Sequence, residues 1–216
     1  MMDQFNLNNQ YLKKKVTLDT VAQEIEKGLI LINGISQKIV TFFGTHAIDV
    51  NHSDYKHCFV TAQELGKRDF AILTGGGPGI MHAANSGAKS ANAISIGLKA
   101  KLLSKEQVED PIYTATICFK FIFVRRFIMS IKSSALIFYP GGYGTLNELF
   151  EYLVLMQTHI VDKVPIICVH KEYWKGLFAW MKEHTHKEGY IQEKDLELIS
   201  FAETTEEIVK IVECNS

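Results

Sequence analysis

The chain has 216 residues, 47% of them apolar and 22% charged, with a formal net charge of −1. Such proportions fit one globular domain with a substantial core and exclude a fibrous or disordered chain. Near-zero charge excludes bulk attraction to nucleic acid or acidic membranes, and no run approaches the ~18 apolar residues of a spanning helix.

Residues 1 to about 12 are polar and Asn-rich and read as a mobile or partner-docked arm. Lys13-Lys14-Lys15 leads into Val-Thr-Leu-Asp-Thr-Val-Ala-Gln-Glu. Its acids stand where a signal peptide needs an apolar stretch, so a cytoplasmic location is expected. Val16, Val21, Ile25 and Leu29 recur with a helical rhythm up to Ile32. The chain thus divides into an arm and helix over 1–37 and one larger domain over 38–216.

In that domain short apolar runs alternate with longer amphipathic ones. Strands are predicted over 38–44, 71–74, 93–98, 115–119, 135–139, 164–169 and 196–201. Helices are predicted over 55–67, 80–89, 122–132, 145–157, 173–188 and 205–214. This order predicts an α/β fold, a doubly wound parallel sheet with helices on both faces. Ligands of such folds gather at the carboxyl ends of strands, where strand order reverses. Gly44-Thr45, Thr74 to Gly79 and Pro140 to Thr145 all fall on that rim. Cys58, Cys118, Cys168 and Cys214 form no CxxC pair, so neither a zinc site nor a disulfide framework is indicated.

Two glycine-rich loops stand out, each between a predicted strand and a predicted helix. The first is Thr74-Gly-Gly-Gly-Pro-Gly-Ile-Met81 and the second Pro140-Gly-Gly-Tyr-Gly-Thr-Leu-Asn-Glu148. Glycines there let backbone N–H groups approach an anion at the positive end of the helix. Neither loop is a Walker A motif or a clean G-x-G-x-x-G, which disfavours nucleoside-triphosphate hydrolysis and hydride transfer. A phosphorylated small molecule fits better. Thr145-x-x-Glu148 has the spacing of a capping box, but its place after Pro-Gly-Gly-Tyr-Gly points to ligand contact. The helix dipole favours an ionised Glu148, a base or cation stabiliser rather than a proton donor. Arg125 and Arg126 sit in the apolar run Phe121–Met129, where a guanidinium needs a partner: a structural acid, or a phosphate. Met81 and the Phe121, Phe123, Phe127 set read as core, with covering a nucleobase open to one of them. His184-Thr-His186 reads as a solvated helix end rather than a metal site.

On these residues the sequence resembles the LONELY GUY (LOG) family of cytokinin-activating phosphoribohydrolases, often labelled lysine decarboxylases. The signature Pro-Gly-Gly-x-Gly-Thr-x-x-Glu is complete from Pro140 to Glu148, Gly75–Met81 matches the family's other loop, and the resemblance spans about residues 38–210. The family's Arg-Lys pair falls on Arg125-Arg126, so Arg126 replaces the usual lysine. The resemblance implies a Rossmann-like fold and at least a homodimer. It also implies hydrolysis of a nucleoside 5′-monophosphate, AMP or a cytokinin riboside monophosphate, to free base and ribose 5-phosphate. Arg125 and Glu148 would be the catalytic pair. Gly75, Gly76, Gly77, Gly79, Gly141, Gly142, Gly144 and Thr145 would line the phosphate and ribose site, with Gly44, Thr45, Met81 and Arg126 beside them. No cofactor or metal is expected. The alternative is a non-catalytic carrier of a nucleotide or of molybdenum cofactor, against which the Arg125–Glu148 pair stands. His170-Lys171 alone speaks for a pyridoxal-dependent decarboxylase.

Overall fold

The computed structural model describes residues 18–101 and 111–215. The predicted arm and Val16 lie outside that range. Helix α1 (Leu18–Asn33) precedes strand β1 (Ile39–Phe43), whose run Ile-Val-Thr-Phe-Phe is buried at every residue. An unalternating apolar run of this kind is what a central parallel strand covered on both faces requires. Then follow α2 (Ser53–Gly66), β2 (Ala71–Thr74), α3 (Ile80–Ser90), β3 (Ser95–Ala100), β4 (Ala115–Phe119), α4 (Ile122–Ser130), β5 (Ser133–Phe138) and α5 (Tyr143–Gln157). The last part comprises β6 (Ile166–Val169), α6 (Lys171–Trp180), a π-helical turn (Met181–His186), α7 (Glu193–Leu196), β7 (Ile199–Ala202) and α8 (Thr205–Cys214).

The seven strands form one sheet in the order β4-β3-β2-β1-β5-β6-β7, parallel throughout. From β1 the chain steps outward through β2, β3 and β4, then returns to lay β5 on the opposite edge of β1. Phe43 pairs with Phe138 at the end of that ladder. Strand order therefore reverses between β1 and β5, and a crevice opens above their carboxyl ends.

Alternate strand residues feed two cores. Ile39, Phe43, Leu73, Leu136 and Phe138 pack with Val124 and Ile128 of α4, Leu149 and Met156 of α5, and Trp174 of α6. Val40, Phe42, Ile72, Ile137 and Tyr139 pack on the other face with α2, α3 and α8. The sheet is thus Rossmann-like and covered on both sides, as the alternating pattern predicts.

Several boundaries differ from the sequence reading. Strand β3 extends to Ala100 and takes in Lys99, and β7 begins at Ile199 because α7 claims Leu196. The helix predicted over 173–188 gives way to the π turn, where Thr185 Oγ1 donates back to the Met181 carbonyl at 2.6 Å and competes with the regular ladder. Phe123 and Phe127 are not core: they are 60% and 48% exposed. The buried stripe of α4 is Val124, Ile128 and Met129, one position round the helix from both rings.

Candidate active site

The second glycine loop leaves β5 through Tyr139 and Pro140 and enters α5 at Gly142, the N-cap, which has no side chain to cap the helix. Thr145 and Glu148 are not a capping box. They stand three and six residues inside, so the first-turn N–H groups have no side-chain cap and meet the crevice. Thr145 Oγ1 fills the space that a Gly141 side chain would need, and the Tyr173 hydroxyl of α6 donates to the Gly141 carbonyl. The loop is pinned from within and from behind.

The first loop is held differently. Thr74 Oγ1 donates to Asn85 Oδ1 at 2.5 Å and accepts the Gly76 N–H at 2.9 Å. Asn85 in turn donates to Ser95 Oγ at 2.9 Å and to the Ile96 carbonyl at 3.2 Å. This fully buried polar net joins β2, α3 and β3 beneath the loop. Gly79 has φ +66°, and a side chain there would run into the Thr45 carbonyl. Thr45 links the two loops: its N–H donates to the Pro140 carbonyl at 3.0 Å, and its carbonyl accepts from Ile80 N–H at 3.0 Å.

Arg125 reaches from α4 over the rim, with Nη2 3.4 Å from Glu148 Oε1; the two side chains are 11% and 15% exposed. Arg125 Nη1 lies 3.5 Å from the Leu98 carbonyl, and Nε is buried with no hydrogen-bond partner. Burial pushes the Glu148 carboxyl up to about 7, with Arg125 and then Arg126 pulling the other way. Burial also lowers the Arg125 guanidinium, which Glu148 partly restores. The dipole-based expectation of a fixed carboxylate is thereby corrected. At the sixth helical position the dipole has faded, and desolvation decides. Near pH 7 this group can both take and give a proton.

These elements enclose a cavity of about 480 Å³, a size suited to a small-molecule ligand. Gly44, Thr45, Gly75, Gly76, Gly77 and Met81 line one side. Arg125, Gly142, Gly144, Thr145 and Glu148 line the other. Gly141 and Gly79 shape the loops without facing the cavity. Arg126 also does not face it: its Nε pairs with Glu151 of α5 at 3.5 Å. Sequence reasoning missed Phe43, His46, Lys99 and Tyr143 in the lining. For Lys99 there is a signal, a cation at the carboxyl end of an otherwise buried parallel strand. Lys171 stands elsewhere, its Nζ 5.8 Å from the Phe201 ring centroid. His184 rests on Trp180, and the described residues hold no group of three side chains fit for a metal.

The family model described as possible lysine decarboxylase matches residues 81–212. Cytokinin riboside 5′-monophosphate phosphoribohydrolase LOG1 of Arabidopsis thaliana is 28% identical over 180 residues, 82% of this chain and 83% of that protein. The enzyme of the same name from Mycobacterium marinum is 25% identical over 134 residues, 62% of this chain and 71% of its own. Among solved structures, the molybdenum cofactor binding protein of Rippkaea orientalis superposes with a TM-score of 0.62 at 21% identity, covering 83% of this chain and 98% of that one. The carrier protein for the same cofactor from Chlamydomonas reinhardtii gives 0.61 at 18%, with 83% and 98% covered. At such identities the structures attest the fold.

Proposed function

The chain belongs to the possible lysine decarboxylase family, and from that premise we propose an activity other than the one the description names: hydrolysis of the N-glycosidic bond of a nucleoside 5′-monophosphate. One observation carries the reading. A largely buried carboxyl, Glu148, faces a cavity beside a guanidinium, about one and a half turns from an uncapped helix terminus suited to phosphate.

In this reading the phosphate docks on the N–H groups at Gly142–Thr145, and that remote grip orients the sugar. As the bond from the anomeric carbon to the base nitrogen lengthens, positive charge grows on the ribose, and the Glu148 carboxylate stabilises it. Water attacks the anomeric carbon; the bonding pair leaves with the base. Glu148 takes the proton from the water and returns it toward the departing nitrogen, a double duty fitted to a group near neutrality. Arg125 holds the carboxylate in place and steadies its charge. The reading includes a homodimer, supported by the exposed apolar side chains of Phe123 and Phe127 on α4 and Phe150 and Val154 on α5.

The test is release of free base from AMP and the other common monophosphates, followed by chromatography. Wild type releases base and ribose 5-phosphate. Glu148→Gln or Arg125→Ala lowers turnover by about 10²-fold or more with nucleotide binding retained. Saturable binding without base release from any monophosphate would overturn the reading in favour of a carrier.

A further inference from the structure

One wall of the cavity is built by Lys99 and Ala100 of β3, and its chemistry bears on which base the site accepts. Contacts order the cavity from end to end. At one end lie the uncapped N–H groups of Gly142–Thr145. In the middle Glu148 meets Arg125, and Arg125 reaches on to the Leu98 carbonyl. At the far end comes Lys99, 9% exposed and lining the same cavity.

The first glycine loop is the poorer anion site. It spends the Gly76 N–H on Thr74 and the Ile80 N–H on Thr45. A nucleotide whose phosphate sits at α5 therefore places its sugar by Glu148 and its base toward β3.

Lys99 is fixed in that wall. Its stem lies against Gly76, where a Cβ would fall 2.7 Å from Lys99 Cγ. Its Nζ stands 4.7 Å from the centroid of the Tyr113 ring, a cation–π arrangement. The ring itself packs on Gly97, where a Cβ would fall 2.7 Å from Tyr113 Cε1. Two glycines thus make room for one ammonium group on an aromatic support.

We propose that Lys99, carried on Tyr113, is the specificity-determining residue at the base end and selects bases that present a carbonyl oxygen. The inference rests on the nucleotide-hydrolase reading above. An ammonium group has donors and no acceptor. The 6-oxopurine edge offers two acceptors, O6 and N7, whereas adenine offers N7 beside an amino donor. A donor-only side chain therefore favours IMP or GMP over AMP, by about tenfold for one such contact.

IMP and AMP, which differ at this edge, are the probes. Wild type is expected to show a kcat/KM about tenfold higher for IMP. Lys99→Met, which keeps the stem and removes the donors, is expected to bring the ratio near one, while Lys99→Arg keeps most of it. A wild-type preference for AMP overturns the inference, as does a ratio unchanged in Lys99→Met. The wild-type ratio decides even where a variant fails to fold. If no monophosphate is cleaved, the hydrolase reading fails separately, and the ratio of dissociation constants for IMP and AMP across the same proteins decides the role of Lys99 in the same way.

Discussion

Glu148 feels two opposed fields. Removal from water raises its proton affinity, and two guanidinium groups at its flank lower it; burial prevails and leaves it near 7. Only the ionised form can stabilise a ribosyl cation or accept a proton from water. The folded group thus becomes competent as pH rises through that value. We expect kcat/KM to climb between pH 6 and 8, centred near 7 and about a unit above the second ionisation of a phosphate ester. A rising limb near 4.5 would contradict the burial-driven shift. Glu148 and Arg125 are legible as candidates in the sequence because a charged residue in an apolar run, or behind a glycine loop, demands a reason. Arg126 shows the limit. Its neighbour and it share the same local composition, and consecutive helical positions, about 100° apart, send one guanidinium to the cavity and the other to Glu151.

At the level of elements, the glycine loops mark the carboxyl ends of β2 and β5, and this is why the rim of the fold can be read without coordinates. What supports the loops is less visible. Asn85 lies in the middle of α3, where its side chain has no helical task, yet it satisfies Thr74, Ser95 and the Ile96 carbonyl at once. Asn85→Ala strands those buried partners and is expected to cost about 2 kcal/mol in chemical denaturation, with a loss of nucleotide affinity as the first loop loosens. Unchanged stability would show that the net is dispensable. The apparent capping box misleads for a related reason. Spacing alone cannot tell a helix that begins at Thr145 from one that begins two residues earlier on an uncapped glycine. The helix predicted over 173–188 is misread because Met181–His186 contains neither glycine nor proline to mark where the regular ladder gives way to the π turn.

For the whole molecule, two helical layers bury both faces of the sheet, and α4 and α5 leave apolar side chains exposed on that covering. Phe123, Phe127, Phe150 and Val154 are between 38% and 60% exposed, on two helices joined by the Arg125–Glu148 and Arg126–Glu151 pairs. Composition cannot separate rings meant for a chain's own interior from rings meant for a second surface, so the sequence reading placed Phe123 and Phe127 inside. If copies associate through these side chains, Phe123→Glu with Phe127→Glu yields a monomer by sedimentation equilibrium where wild type is a dimer. A monomeric wild type at micromolar concentration would remove them from consideration.

The backbone of Thr45 receives from one glycine loop and gives to the other. A hinge needs each jaw to rotate alone, and this double tether denies both that freedom. Under the proposed reading, a nucleotide is then expected to enter by side-chain rearrangement over a tethered backbone cradle, which leaves less ordering entropy for the ligand to overcome.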